Sequence, residues 1–363
     1  MRLLYNRARI FAGIATYHYL GRRRPVVAYL LLTNRCNLRC RYCFVDVNTI
    51  YKSDFTLSEW EATLDNLKKH GGVSICLMGG EPLLFKDIDE LILYGKRLGF
   101  NIEMTTNGFG LEKHIDAVKR VNAVMLSLDG PQEIMEKNRG KRSYDYVMRA
   151  LELLQRHKVP VRINCVATKQ NKDAIPWLLD FADKHNVWVT FSLTADFPPE
   201  AKDLEAEIML TREEVKEYYR LLLRHKRAGR KILFSEETLR YVIDYPLPYQ
   251  EILWRNGERL RPKETCLFGQ TMIYINSNGD IYPCATLWNT DKFQPKNIRK
   301  DGFEAALDHA ARLPCKGCFC PGVPEWKRMA TLRGALFGLK VTINQVWSHR
   351  LNRETPSAIT HME

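Results

Sequence analysis

The sequence predicts an α/β fold: a partial (β/α)6 TIM-like barrel followed by a small C-terminal cysteine-rich domain. From residue 26 onward, short β-branched or apolar runs alternate with amphipathic stretches of helical period. That order produces a parallel sheet with helical crossovers. No GxGxxG follows any of the runs, so a βα barrel fits better than a dinucleotide-binding sheet. Near residue 195 the alternation stops, and a second group of cysteines gathers further on.

The predicted strands are 26–33, 73–78, 101–106, 123–128, 161–168 and 187–193, with helical patterns near 57–70, 87–98, 111–120, 143–157 and 173–185. Thr211 and Glu214 form a capping box that opens a helix through Arg227. A Pro-containing stretch, 244–262, leads to a hairpin signal in which 272–276 and 280–284 flank Ser277, Asn278 and Gly279. The expected segments are a basic amphipathic N-terminus at 1–24, a barrel at 25–195, a helical linker at 196–265, a cysteine domain at 266–325 and a basic C-terminal helix and tail at 326–363.

The composition, 363 residues with 45% hydrophobic and 27% charged, excludes a wholly disordered or collagen-like chain. The net charge of +13 is uneven: residues 1–24 carry +6, residues 326–353 another +6, and 25–325 only +3. This argues against one broad nucleic-acid-binding face, and no stable nucleic-acid partner is expected. No apolar run reaches membrane-spanning length. Arg7, Arg9 and His18 interrupt any signal-peptide core. The chain is read as cytoplasmic, with its basic ends able to touch a membrane surface. In 1–20, Leu3, Ile10 and Ile14 form an apolar stripe beside Leu4, Phe11 and Ala15; in 326–347, Met329, Leu332, Leu336, Leu339, Ile343 and Val346 form another. Such stripes either pack on the fold or insert shallowly beside anionic lipid.

Ten cysteines, clustered in a chain of this kind, point to metal rather than disulfides. Cys36, Cys40 and Cys43 follow the first strand as C-x3-C-x2-C. Three thiolates on one loop hold three irons of a [4Fe–4S] cube and leave the fourth open. A zinc knuckle or purely structural thiols are the alternatives, but no Cys or His lies within 44–56 to complete a zinc site. The second group is Cys266, Cys284, Cys315, Cys318 and Cys320, in which Cys266-x12-Gly279-x4-Cys284 precedes Cys315-x2-Cys318-x-Cys320. Four-thiolate zinc would also suit it. Cys76 and Cys165 lie inside predicted strands and read as buried thiols.

The first run and its company resemble the radical S-adenosylmethionine (SAM) superfamily over most of the chain. The resemblance implies that the open iron chelates SAM and that the radical released abstracts a substrate hydrogen. Tyr42 matches the position that packs near adenine. Gly79, Gly80, Glu81 and Pro82, after strand two, resemble the GGEP motif implied to bind the SAM amino group. Asn107, in Thr106-Asn107-Gly108, follows strand three. Ser127, Leu128, Asp129, Gly130 and Pro131, with Asn138, Arg139 and Gly140, look like the peptide-maturase and sulfatase-maturase branch, where the matching Ser and Arg hold the SAM carboxylate. Asn164 occupies another position implied to face SAM. These residues end successive strands, where a βα barrel places its chemistry.

The second cysteine group resembles the SPASM extension in its shorter Twitch form, implying one auxiliary [4Fe–4S] cluster. By that match Cys266, Cys284, Cys315 and Cys318 are its ligands, with Cys320 spare or replacing Cys318. An electron donor such as flavodoxin or ferredoxin is implied. The basic, apolar ends lean the substrate toward a lipid or polyprenoid at a membrane surface. The alternatives are a ribosomal peptide or protein maturase and an aminocyclitol-like dehydrogenase; only about two dozen residues precede the first strand, too few for a winged-helix leader-binding module. From another class, a noncatalytic metal protein whose ends contact nucleic acid or membrane would leave the SAM motifs without a use.

Overall fold

A helix, α1 (Arg2–Leu20), precedes six strands: β1 (Val27–Leu31), β2 (Ser74–Met78), β3 (Asn101–Thr106), β4 (Ala123–Ser127), β5 (Val161–Ala167) and β6 (Trp188–Leu193). The computed structural model describes residues 2–43, 45, 54–194, 206–247, 253–254, 266–288, 292–312, 315–329 and 331. Every strand falls inside a predicted run. All six pair in parallel, each with the next in sequence.

The crossovers are helical. They include α2 (Leu57–Lys69), α3 (Ile88–Arg97), α4 (Ile115–Val118), α5 (Gln132–Arg139), α6 (Ser143–Arg156) and α7 (Ile175–Lys184). The 111–120 pattern resolves into a short 3-10 turn over Leu111–His114 and then α4. The helix α5 was not read from the sequence, because its polar run QEIMEKNR shows little apolar periodicity. Thr56 caps α2, its side chain accepting from Glu59 N–H while Glu59 reaches back to Thr56 N–H.

Alternation within the strands separates two faces. One face, including Leu30, Leu77, Ile102, Met104, Leu126 and Ile163, joins the main core with helix residues such as Trp60, Leu64, Leu91 and Leu151. The other face is polar for a sheet interior: β5 alternates buried Ile163 and Cys165 with half-buried Arg162 and Asn164. This second face lines the lumen of a partial barrel.

Strand order is β10-β9-β8-β1-β2-β3-β4-β5-β6, so β6 does not close on β1. Instead β8 (Met272–Ile275) lies parallel to β1, pairing Val27 with Met272 and Leu30 with Ile275. It turns through the Ser277-Asn278-Gly279 hairpin into antiparallel β9 (Asp280–Tyr282), and β10 (Lys296–Asn297) follows. A second small sheet pairs β7 (Leu253–Trp254) with β11 (Cys315–Gly317). Between barrel and hairpin lie α8 (Arg212–Arg227), opened by the Thr211 and Glu214 capping box, and α9 (Glu236–Ile243). Glu325, on α12 (Gly322–Met329), accepts from Ser235 and Thr238 and so fixes the start of α9. Short helices α10 (Ile298–Asp301) and α11 (Phe303–Ala310) complete the described fold.

The stripe on α1 is used inside the protein. Ile10, Ile14 and Tyr17 are buried in one cluster with Val26, Val27, Val73, Leu267 and Met272. At Gly13 an added Cβ would lie 2.6 Å from a Val26 methyl, so helix and strand are in close contact. Of the two uses left open for this stripe, packing is the one seen for Ile10 and Ile14, while Phe11 and Ala15 are half-buried. Of the C-terminal stripe, the residues from Leu332 onward lie outside the described residues.

Candidate functional site at the strand ends

The loop after β1 carries Cys36, Cys40 and Cys43, all free and half-buried. Each thiol is pushed up by burial, Cys36 to about 11 and Cys43 to about 12, with Cys40 raised in the same direction. Cys36 and Cys43 each feel the charge of Cys40, and Cys43 also feels Cys36, so the three share one environment. Leu38 N–H points at the Cys36 sulfur at 3.4 Å.

The loop after β2 is bound to this one through its backbone. Gly80 N–H donates to Thr33 carbonyl at 2.7 Å and Glu81 N–H to Arg35 carbonyl at 2.8 Å. Such approach leaves no room for side chains: a Cβ on Gly79 (φ +147°) would lie 2.6 Å from Thr33 carbonyl oxygen, and one on Gly80 2.3 Å from that of Arg35. Pro82 opens the short turn that follows.

Glu81 is buried with its carboxylate turned toward the end of β3. It accepts from Thr106 hydroxyl (2.6 Å), Asn107 N–H (2.8 Å) and Leu83 N–H (3.2 Å). Burial pushes its carboxyl up to about 7, against the opposing pull of those donors. In this arrangement the carboxylate straps two loops together. Asn107 in turn donates to Asn37 Oδ1 at 2.9 Å and approaches the Cys36 sulfur at 3.9 Å.

From β4, Asp129 is fully buried and binds Arg139 through two contacts, Nε to Oδ2 at 2.9 Å and Nη2 to Oδ1 at 3.0 Å. Tyr42 hydroxyl donates to the same carboxylate, and the Arg139 guanidinium lies 5.3 Å from the Tyr42 ring centre. Arg139 also hydrogen-bonds Cys40 and opposes the effect of burial on its thiol. Arg41 N–H donates to Asn138 carbonyl, a further tie between cysteine loop and α5. Removing one partner of such a buried pair costs about 3–5 kcal/mol, since it strands the other charge. Tyr42, Asp129 and Arg139 thus bind one another, while Ser127 ends β4 beside Asn164 of β5. Asn164 Oδ1 accepts from Thr190 and Ser192 hydroxyls, which leaves its amide N–H groups to donate.

Two residues not singled out in the sequence complete the rim. Both polar side-chain atoms of Asn34, and Nδ2 of Asn37, are buried with no hydrogen-bond partner among the described residues. Unpaired buried polar atoms are costly and ask for a ligand or water. The only signal in the sequence was their place in the cysteine loop. Thr106, a neighbour of Asn107, shows its role only through the carboxylate it binds.

The second group comes together from 266, 284 and 315–320. Cys284 and Cys318 each feel the charge of Cys266 and Cys320, and Cys315 that of Cys266 and Cys284. Cys318 thiol donates to Cys320, which lowers Cys320 and raises Cys318. Burial raises Cys266 to about 11 and Cys284 to about 12. Cys76 and Cys165 stay apart from both groups: Cys76 meets Thr105 in the barrel, and Cys165 meets Asn171.

Among the described residues, no three Cys, His, Asp or Glu side chains already converge tightly enough to hold a single metal ion. The donor set nonetheless fits a thiolate-bound iron–sulfur cluster on the first loop. Its thiols form no disulfide, backbone N–H groups face sulfur, and the orphaned amides of Asn34 and Asn37 lie in the same loop.

Residues 30–182 match the family model of the Radical SAM superfamily. The chain is 29% identical over 245 residues to Fe-coproporphyrin III synthase of Methanosarcina barkeri, covering 65% of this chain and 61% of that relative. It is 23% identical over 318 residues to the sporulation killing factor maturation protein SkfB of Bacillus subtilis, covering 83% and 70%. Among solved structures, Streptococcus suis SuiB bound to precursor peptide SuiA matches with a TM-score of 0.64 at 19% identity, over 80% of this chain and 65% of that one. This last is a likeness of fold, and the chain spans less than two thirds of SuiB and of the synthase. The family match begins within β1 and ends within α7, and so takes in every loop that meets at the rim. Residues 30–182 form a radical SAM superfamily domain.

Proposed function

We propose that the protein is a radical SAM enzyme acting on a peptide or protein. The observation that carries the reading is the joining of four strand-end loops into one rim by Glu81 and Asp129, around the orphaned amides of the three-cysteine loop. A [4Fe–4S] cluster with SAM bound there supplies a 5′-deoxyadenosyl radical that removes hydrogen from an unactivated carbon. Cys36, Cys40 and Cys43 hold the cluster, and Arg139 keeps positive charge beside Cys40. Asn34, Asn37 and the donors of Asn164 orient the amino-acid end of SAM, and the Gly79–Gly80 backbone allows its close approach. Cys266, Cys284, Cys315, Cys318 and Cys320 provide for one auxiliary cluster, and a flavodoxin or ferredoxin supplies the electron in the cytoplasm.

A peptide substrate is favoured over the lipid that the basic ends suggested. Ile10 and Ile14 of the α1 stripe are spent on packing, and the relatives above are named for the maturation of a sporulation killing factor and for Fe-coproporphyrin III synthesis, neither for a lipid. Anaerobically reconstituted protein with SAM and dithionite is expected to release 5′-deoxyadenosine, and the Cys36→Ala, Cys40→Ala, Cys43→Ala triple variant to release none. Equal release from the variant overturns the assignment.

A further inference from the structure

The lumen-facing side of the barrel holds charge that the rim does not use. Glu103 on β3 and Arg162 on β5 meet across β4, with Nη1 to Oε2 at 3.2 Å and Nη2 to Oε1 at 3.5 Å. Their side chains are 34% and 15% exposed, so the pair is neither a surface bridge nor sealed in the core. Arg162 Nε is buried and has no partner among the described residues. Glu103 lies three residues before the end of β3, about 10 Å below the rim at about 3.3 Å per residue.

The same lumen face carries Tyr29, stacked on Tyr274 with ring centres 4.4 Å apart, together with Cys76 and Thr105. Burial raises the Cys76 thiol to about 12 and pushes the Tyr29 phenol above its ordinary range, so both are neutral at physiological pH. The layer therefore holds one unpaired guanidinium N–H, itself buried, beside one part-exposed carboxylate, with no net charge among its described residues.

We propose that Glu103 and Arg162 form a subsite for the uncharged side-chain carboxamide of an Asn or Gln of the substrate. The proposal rests on the peptide reading and adds what the lumen selects. An amide offers a carbonyl to the unpaired Nε of Arg162, reached by displacing what buries it, and an N–H to Glu103, satisfying both in a confined site. A carboxylate or phosphate meets Glu103 as a like charge, and an ammonium meets Arg162 in the same way. Net neutrality thus makes the subsite selective against ions of either sign.

The test is equilibrium dialysis of reconstituted, SAM-loaded protein against three probes: the N-acetyl, N′-methylamide derivatives of glutamine, glutamate and lysine. The wild type is expected to hold the glutamine probe at least about tenfold more tightly than either charged one, since a like charge costs more than 1.4 kcal/mol in such a site. Glu103→Gln leaves unpaired positive charge and should shift the preference toward the glutamate probe. Arg162→Gln should shift it toward lysine. The double variant Glu103→Gln, Arg162→Gln leaves no stranded charge, and should stay folded by circular dichroism while losing discrimination. Equal binding of all probes to the wild type, no measurable binding of any, or preferences that no variant moves would each overturn the subsite. SAM cleavage by the wild type is read separately, so failure of the enzyme reading stays distinguishable.

Discussion

Glu81 shows what one residue does when several loops depend on it. Its carboxylate is held by Thr106, Asn107 and Leu83, yet burial lifts its pKa from 4.5 to about 7. A carboxyl raised in the folded state binds its proton more tightly there than in the unfolded chain. The stability this provides is full below about pH 4.5 and is lost as pH rises through about 7. Glu81→Gln removes that dependence. Urea midpoints of the cluster-free protein are expected to fall for the wild type between pH 5 and 8 relative to the variant; parallel profiles would refute the titration. The sequence exposed the residue through the Gly79-Gly80-Glu81-Pro82 run. It suggested a carboxylate offered to an ammonium, and it could not show that the same carboxylate also ties Thr106 and Asn107, since spacing says nothing about which way a side chain turns once β3 is beside it.

At the level of elements, α1 decides between two uses of one apolar stripe. Periodicity alone made a helix legible in 1–20, but packing and lipid insertion need the same pattern. Contact with Val26, Val27 and Met272 settles the matter for Ile10, Ile14 and Tyr17. Ile14→Ala should therefore destabilise the protein by about 2–5 kcal/mol, seen in denaturant unfolding, with flotation on anionic liposomes unchanged. Reduced flotation with unaltered stability would restore a lipid role. The helix α5 marks the opposite case. Its sequence lacks a stripe, since Met135, Asn138 and Arg139 are buried through polar contacts as much as apolar ones.

For the whole molecule, the two cysteine groups are separate in sequence, but the pairing of β8 with β1 joins the hairpin before Cys284 to the sheet that carries the first cysteine loop. Tyr274 on β8 stacks on Tyr29 of β1 and, like Cys36 and Cys43, packs against the cluster of Leu31, Val45 and Trp288. Its phenol feels Cys284 and Cys320 as well, so the strand pair stands between both groups. Full reconstitution should give about eight irons, and the Cys36, Cys40, Cys43 triple Ala variant about four, as two cubes and then one require. Iron analysis with Mössbauer spectroscopy checks this. About four irons in the wild type would exclude an auxiliary cube.

The sequence by itself determined the six parallel strands of the barrel and the loops that carry the chemistry, but not that β8 joins them beside β1. Those depend on local period and on residue type, both of which are written along the chain. Tertiary structure decided which groups face one another. It paired Arg139 with Asp129 and Tyr42, turned Glu81 onto the end of β3, covered Ile10 and Ile14 of α1 and brought Glu103 to Arg162 across an intervening strand. Each of these follows from the curvature and alternation of a packed sheet, which bring together side chains whose separation in sequence carries no signal of their meeting.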